Sequence, residues 1–273
     1  MKQKVGVVGL GMVGAQVSRY FQKKKYDVFS FDKFKHVGSL KEVANAKIIF
    51  LCLPTPYSKN TGYNTRTLEE VISFFTAPKI FVIKSTVLPG TTSYLQKKYP
   101  SHFFLHNPEF LREASAWDDF VASHIQIVGY TKKSKRYVRK ILHMLPSAPY
   151  KNIFSAETTE LTKLANNSFL SLRVAFANEL YDVAEKIGVR YEDVRDSIGR
   201  DARIGMSHFD VWGGGYRGFG GKCLPKDIKA LIYFMKKHKM NREILEAADN
   251  ENMKLLKKQK LTKRLDEWLD NKS

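Results

Sequence analysis

The sequence predicts an α/β fold: a Rossmann-type N-terminal domain with a parallel sheet, one long linking helix, and a small all-helical domain. Three observations carry this. Short β-rich apolar runs alternate with amphipathic stretches through the first 155 residues, the pattern of βαβ units. From Ser155 to Ile187 there is no Gly and no Pro, and apolar residues recur at helical spacing. After residue 155 no run reads as a strand. The predicted domains are therefore 1–154 and 155–273.

Strands are predicted at Lys4–Val8, Val28–Phe31, Lys47–Leu53, Ile80–Ile83, Phe103–Leu105 and Gln126–Gly129. Between them, Met12–Phe21, Thr67–Phe75 and Lys133–Leu145 are amphipathic at helical period. Ser155 is the expected N-cap of the long helix, with Glu157 in its first turn. Leu161, Leu164, Phe169, Leu172, Val174, Phe176, Leu180, Val183 and Ile187 are its apolar positions. A helix of about 30 residues runs roughly 45 Å. Such a length suits a bridge between domains or a dimer seam. Shorter helices follow around Tyr191–Ile198, Pro225–Lys237 and Asn241–Leu269.

Composition narrows the function classes. Hydrophobic residues make up 43% and charged residues 27% of 273, which excludes disordered and fibrous chains. Two cysteines, Cys52 and Cys223, cannot make a disulfide framework, so a reducing cytoplasm is the expected compartment. No run approaches the roughly 18–20 apolar residues that cross a bilayer. The net charge of +19 is gathered in lysine clusters at Lys23–Lys25, Lys132–Lys140 and Lys254–Lys263. No zinc-finger spacing or aromatic RNA-binding strand accompanies them, so they read as solvated faces and nucleic acid is not expected as a partner. The same field favours a phosphate-rich small ligand.

Gly9-Leu10-Gly11-Met12-Val13-Gly14 follows a predicted strand and opens a predicted helix. In this G-x-G-x-x-G pattern Gly9 permits a tight turn, Gly11 lets the backbone approach a diphosphate, and Gly14 allows close helix–strand packing. The helix N-terminus supplies unpaired N–H groups to the same anion. Asp32 ends the second strand 18 residues past Gly14, where a carboxylate meets ribose hydroxyls. It favours NAD, while Lys33 beside it keeps NADP open on these residues alone.

Phe219-Gly220-Gly221-Lys222-Cys223-Leu224-Pro225-Lys226-Asp227 places a thiol between glycines and a helix start, with Pro225 at the first helical position. A lone cysteine is commonly a small buried hydrophobe. A thiol before a helix N-terminus and near two lysines is instead expected to ionise easily.

These nine residues match the F-G-G-x-C-(L/F)-P-K-D motif of the UDP-glucose and GDP-mannose dehydrogenase family, which the chain resembles most closely on its UDP-glucose 6-dehydrogenase side. Other blocks match in order. Leu53-Pro54-Thr55-Pro56 resembles its strand end, Lys84-Ser85-Thr86-Val87 a turn, and Asn107-Pro108-Glu109-Phe110-Leu111-Arg112-Glu113 a loop. Glu160-Leu161-Thr162-Lys163 with Asn167 resembles its long-helix signature, and Arg203-Ile204-Gly205 another turn. Members carry a further nucleotide-binding domain after the helical one, and the sequence given ends where that domain is expected to begin.

The resemblance implies a four-electron oxidation of a nucleotide-sugar alcohol to a carboxylate, with two NAD and no metal. It implies catalytic roles for Cys223, Lys163, Asn167, Asp227, Thr86 and Glu113. Cys223 captures an aldehyde, Lys163 and Asn167 face a developing oxyanion, and Asp227 positions water or takes the alcohol proton. Thr86 and Glu113 hold the hydrolytic water, Glu113 as base. Cofactor contacts are expected from Gly9, Gly11, Met12, Val13, Gly14, Asp32, Thr55, Pro56 and Thr86. Substrate contacts are expected from Glu109, Phe110, Leu111, Arg112, Glu113, Lys163, Asn167, Arg203, Phe219 and Gly220. A homodimer seamed on the long helix is implied, with Arg203 reaching the partner's substrate. The glycine-rich loop Gly213–Gly218, with Trp212, Tyr216 and Arg217, reads either as a mobile surface loop or as a source of stacking and phosphate contacts. Two other classes remain: a non-catalytic NAD-binding partner subunit, and a β-hydroxyacid-type dehydrogenase, which lacks the cysteine motif.

Overall fold

The computed structural model describes residues 2–270. The strands are β1 (Lys4–Val8), β2 (Asp27–Phe31), β3 (Ile48–Leu51), β4 (Tyr57–Ser58), β5 (Gly62–Tyr63), β6 (Ile80–Ile83), β7 (Phe103–His106), β8 (Ile125–Tyr130) and β9 (Tyr150–Ser155). Helices α1 (Met12–Lys23), α2 (Leu40–Val43), α3 (Arg66–Ser73), α4 (Thr91–Lys98), α5 (Ala116–Val121) and α6 (Lys135–Met144) lie between them. Then come α7 (Ala156–Ile187), α8 (Tyr191–Gly199), α9 (Leu224–Lys237), α10 (Glu243–Lys258) and α11 (Thr262–Asp270).

The main sheet has the order β2-β1-β3-β6-β7-β8-β9 and is parallel except between β7 and β8. Successive residues of its strands feed opposite faces. Val5, Val7, Ile48, Phe50, Ile80 and Val82 join one cluster, with Val17 and Phe21 of α1 and Ile141 of α6. Val8, Ile49, Leu51, Phe81 and Ile83 join the other, with Leu68 and Ile72 of α3 and Leu95 of α4. Covering both faces demands strands that are apolar throughout, which is the signal the sequence carried. The chain reverses direction across the sheet between β1 and β3, the switch point outside whose carboxyl ends open α/β sheets bind ligands.

Helices α2, α4 and α5 were not foreseen, nor were two strand features. Strand β9 is an edge strand with exposed Tyr150, Lys151 and Asn152, so it carries no apolar run. Hairpin β4–β5 is two residues per strand, too short for a pattern. One expectation is corrected: Asn241–Leu269 is not one helix. Lys260 takes φ +60°, Lys260 N–H donates to Lys257 O and Leu261 N–H to Leu256 O, a left-handed cap that ends α10. Glycine ordinarily marks such a cap, and a lysine there leaves no mark. At the end of α7 Gly188 does the same job visibly, with φ +76°.

The chain forms two compact units, residues 1–55 with 64–163, and 56–63 with 164 onward. The expected boundary at 154/155 falls earlier, and the expectation did not separate 56–63. The first turns of α7 belong to the first unit because their side chains are spent there. Thr159 Oγ1 lies 2.8 Å from His106 Nδ1, and Glu160 accepts from Gly90 N–H (2.7 Å), Thr92 N–H (2.8 Å) and the Thr92 hydroxyl (2.6 Å). Ser155 caps α7 as expected, its hydroxyl accepting from Thr158 N–H at 3.3 Å. In the second unit one core gathers Val174, Ala175, Phe219, Ile228 and Ala248. Another gathers Ala177, Ala184, Tyr191, Phe209 and Val211.

Candidate active site

In the first unit, the turn after β1 is drawn tight by its glycines. Gly9 has φ +86°, and a Cβ on Gly14 would lie 1.7 Å from Gly9 O. A Cβ on Gly11 would meet nothing within 4 Å. Nothing in the chain therefore requires a glycine at Gly11, and the open space on that side is where a ligand can meet the backbone. Gly11 caps α1 without a side-chain bond and the first turn holds no acid, so its N–H groups are free for an anion. Met12 and Val13 form that first turn.

Asp32 does more than end β2. Its carboxylate accepts from Leu10 N–H (2.7 Å), Lys35 N–H (2.9 Å) and Phe34 N–H (3.0 Å), and Lys35 Nζ returns a bond to Leu10 O at 2.7 Å. Burial would raise its pKa, but the three N–H donors outweigh this and hold it below the ordinary value. A carboxylate offers about four lone-pair positions, so acceptor capacity for ribose hydroxyls remains. Glycine loop and Asp32 thus form one clamped structure, and their donor set fits NAD.

The ends of β3 and β6 are tied together. Thr55 Oγ1 donates to Thr86 O at 2.7 Å, and Ser85 Oγ to Leu53 O at 2.6 Å. Pro56 starts the excursion that belongs to the second unit.

Past β7 the expected loop turns inward. Asn107 is fully buried, donating to Gln126 Oε1 and Ile127 O, both at 2.8 Å, and accepting from Lys84 Nζ at 2.9 Å. Glu109 follows, with Lys163 Nζ 3.1 Å from its Oε1 and Leu111 N–H 2.7 Å from its Oε2. Burial pushes Glu109 up, yet Lys163, Leu111 N–H and Lys84 together hold it below the ordinary value. Lys163 also sits over the Phe110 ring at 5.4 Å. Burial and the nearby Lys163 lower Lys84 to about 8, against the pull of Cys52 and Glu109. Burial, then Lys84, brings His106 to about 3, so its ring is neutral at working pH. Burial pushes the Cys52 thiol up to about 12. A thiol held so far up stays protonated and unreactive at neutral pH.

Arg112 and Glu113 are placed differently. Arg112 is exposed and forked onto Asp119 at 2.8 and 3.0 Å. Glu113 is exposed at the head of a short 3-10 turn, Glu113–Ser115. The carboxylate beside Lys163 is Glu109.

In the second unit, Cys223 is the half-buried N-cap of α9 and Pro225 lies in the first turn. One turn on, Asp227 N–H donates to Cys223 O at 3.0 Å. The Asp227 carboxylate is fully buried and held on both oxygens. Asn167 Nδ2 donates to Oδ2 at 2.5 Å, while Tyr63 OH and Lys226 Nζ each reach Oδ1 at 2.5 Å. Phe219 is buried, its N–H and C=O both bound by the Asn252 amide at 2.7 and 2.9 Å. A Cβ on Gly220 would lie 2.1 Å from Tyr216 OH, so that glycine is required by packing. Arg203 is exposed and paired with Asp201 at 2.6 Å. Its turn is held from α7, where Arg173 donates to Ile204 O and Gly205 O at 2.8 and 2.7 Å.

The loop Gly213–Gly218 is tied down. Arg217 donates to Asn178 Oδ1, Asn178 O and Asp182 Oδ1 at 3.0, 2.8 and 2.6 Å, so its fork is spent on α7. This corrects its expected phosphate role. Tyr216 packs at 5.5 Å from Trp268. Sequence reasoning passed over Tyr63 altogether, because a lone tyrosine on a two-residue strand has no pattern. Lys84 entered only as a letter of a motif, and Lys226 only as one of the two lysines near Cys223.

Comparison with known proteins follows the geometry. A UDP-glucose 6-dehydrogenase of Rickettsia felis is 38% identical over 231 residues, covering 81% of this chain and 50% of that protein. The chain spans about half the length of such relatives. A UDP-glucose dehydrogenase structure from Pyrobaculum islandicum superposes with TM-score 0.80 at 26% identity, covering 93% of this chain and 68% of that one. A 3-hydroxyisobutyrate dehydrogenase structure from Mycobacterium tuberculosis superposes with TM-score 0.71 at 18% identity, over 94% of both chains, and shares the fold alone. No described helix is long and apolar enough to cross a membrane. Residues 33–145 match the NAD binding domain of the UDP-glucose/GDP-mannose dehydrogenase family and 157–254 its central domain, and the chain belongs to that family.

Proposed function

We propose that the chain supports an NAD-dependent two-step oxidation of a nucleotide sugar, UDP-glucose to UDP-glucuronate, through a covalent intermediate on Cys223. The observation that carries this reading is Cys223 at the head of α9 with a buried, fully bonded Asp227 one turn behind it. Together they pair a nucleophile with a fixed carboxylate. The substrate is taken from the relatives, whose printed activity is UDP-glucose 6-dehydrogenation. Another nucleotide sugar, such as GDP-mannose or a UDP-N-acetyl sugar, is the second reading, from the breadth of the family.

The Gly9–Gly14 loop and Asp32 would hold NAD, which when bound would supply the hydride acceptor for both oxidations. Asp227, held on both oxygens, positions the water that takes the alcohol proton in the first step. Cys223 Sγ then bonds to the aldehyde carbon, and Lys163 stabilises the oxyanion of the thiohemiacetal as a fixed cation. Asn167, expected to share that task, spends one N–H on Asp227 and keeps the other. The second oxidation leaves a thioester, which water cleaves to carboxylate and free thiol. For that step Glu113 keeps the base role that the resemblance implies. Thr86 orients the water. A reducing cytoplasm is the proposed compartment, since Cys223 must stay a thiol.

The proposed active unit is a homodimer. Phe169, Phe176 and Val183 recur every seven residues on α7 and are about half exposed, the spacing of a helix seam.

The test is NADH formation from UDP-glucose, GDP-mannose and UDP-N-acetyl sugars by wild type and Cys223→Ser. Two NADH per sugar are expected from wild type, with overall turnover cut about a thousandfold in the variant. NAD affinity by calorimetry should stay the same. Wild-type stoichiometry and rate from Cys223→Ser contradict the mechanism. No NADH from any sugar, with NAD still bound, favours a non-catalytic partner subunit.

A further inference from the structure

Eight residues leave the first unit after Thr55 and return before Asn64, and they belong with the helical unit. They form hairpin β4–β5. Tyr233 of α9 fastens its turn, donating from its hydroxyl to Asn60 O at 2.8 Å. The last residue of the hairpin is Tyr63, 3% exposed, whose hydroxyl donates to Asp227 Oδ1 at 2.5 Å. The Lys226 ammonium lies over the Tyr63 ring at 4.9 Å and reaches the same oxygen. Asn167 holds the other oxygen.

We propose that Tyr63 is a positioning residue that fixes the rotamer and charge of Asp227 and, through it, the reactivity of Cys223. The inference deepens the cysteine chemistry proposed above and rests on it for its catalytic meaning. A buried carboxylate with one oxygen bound only to a flexible lysine can turn about its own bond. The phenol, on a rigid ring, removes that freedom at little entropic cost. It also draws off part of the anion's charge, which would otherwise oppose a thiolate one helical turn away. Burial, then Asp227, holds the phenol well above its ordinary value, so it donates throughout the working range. The groups facing this cluster are Lys226 and Asp227 from α9, Tyr63 from β5, the uncharged Asn167 from α7, and Lys222 next to Cys223 in the chain.

The test reads the thiol directly. Iodoacetamide alkylation of Cys223 is followed against pH by mass spectrometry of the modified peptide, in wild type, Tyr63→Phe, Asp227→Asn, the double variant and Tyr233→Phe. Tyr63→Phe should move the alkylation midpoint upward by about half a pH unit. It should also lower kcat about tenfold while the KM for NAD holds. In the Asp227→Asn background the midpoint shift should vanish. Tyr233→Phe, which frees only the hairpin turn, should leave the midpoint in place. Should phenylalanine not be accepted at this position, ortho-fluorotyrosine, a stronger donor of the same shape, should move the midpoint downward. An unmoved midpoint with either replacement, or a shift that persists without the Asp227 carboxylate, overturns the proposal. Alkylation needs no substrate. If no nucleotide sugar is oxidised by wild type, the functional reading fails while the Tyr63–Asp227–Cys223 coupling is still decided.

Discussion

A methyl group added at Gly14 would sit 1.7 Å from the Gly9 carbonyl oxygen, and one at Gly11 would meet nothing within 4 Å. The two glycines of one motif thus answer to different demands, one to the fold and one to a ligand. Gly14→Ala should destabilise the protein by about 1–3 kcal/mol through overpacking. Gly11→Ala should leave the melting temperature unchanged and weaken NAD about tenfold, or about 1.4 kcal/mol. Thermal melts and calorimetry with NAD separate the cases, and equal NAD affinity in Gly11→Ala and wild type would falsify the ligand assignment. Both glycines were legible in the sequence because backbone demands of this kind leave one residue type. Glu109 was less so. It and Glu113 stand four apart in one motif, and which of them faces Lys163 depends on how the loop enters the core.

Helices α4 and α7 meet through two carboxylates, Glu157, which accepts from the Ser93 hydroxyl, and the more buried Glu160. Glu160 of α7 receives the first N–H groups of α4 and the Thr92 hydroxyl, and so steadies the segment that follows Thr86. Burial raises its pKa to about 7 against the pull of those donors. Between its ordinary value near 4.5 and about 7, the folded chain therefore holds a proton that the unfolded chain has released. Stability from this group is greatest below about 4.5, falls as pH rises through that window, and is level above it. Urea midpoints at pH 5 and pH 7.5 should show wild type losing on the order of 1 kcal/mol relative to Glu160→Gln. A constant difference between the two proteins would show that Glu160 does not titrate there. At this scale the sequence was most readable where an element repeats its pattern, as in β1, β6 and α7. It was least readable at β9, whose solvent-facing edge has no apolar period, and at the α10–α11 break, where Lys260 does the work of a glycine.

For the whole molecule, the apolar residues of α7 divide between two duties. Leu164 and Val174 are buried within the chain, whereas Phe169, Phe176, Val183 and Ile187 are exposed. Proposed dimer assembly would cover the second set. Sedimentation should give twice the monomer mass, and Phe176→Glu should give a monomer. A wild-type monomer with full activity would end the dimer proposal. Mixing Arg203→Ala with Cys223→Ser should restore partial activity if Arg203 acts on the partner's substrate, because one mixed site then holds both intact residues. Arg203 pairs with Asp201 through Nε and Nη2, and its side chain is 88% exposed.

By itself the sequence determined the order and type of most elements, the diphosphate loop, Asp32 and the cysteine at a helix start. Each rests on local physics: strand alternation, helical period, the freedom of glycine, the fixed angle of proline. Tertiary structure alone decided what those residues are bonded to. Tyr63 meets Asp227 across 164 residues of chain, and Glu109 meets Lys163 only after β8, α6 and β9 have been laid between them. Such pairings leave no period in either segment. They exist because a buried charge must find partners, and only the packed chain brings them within reach.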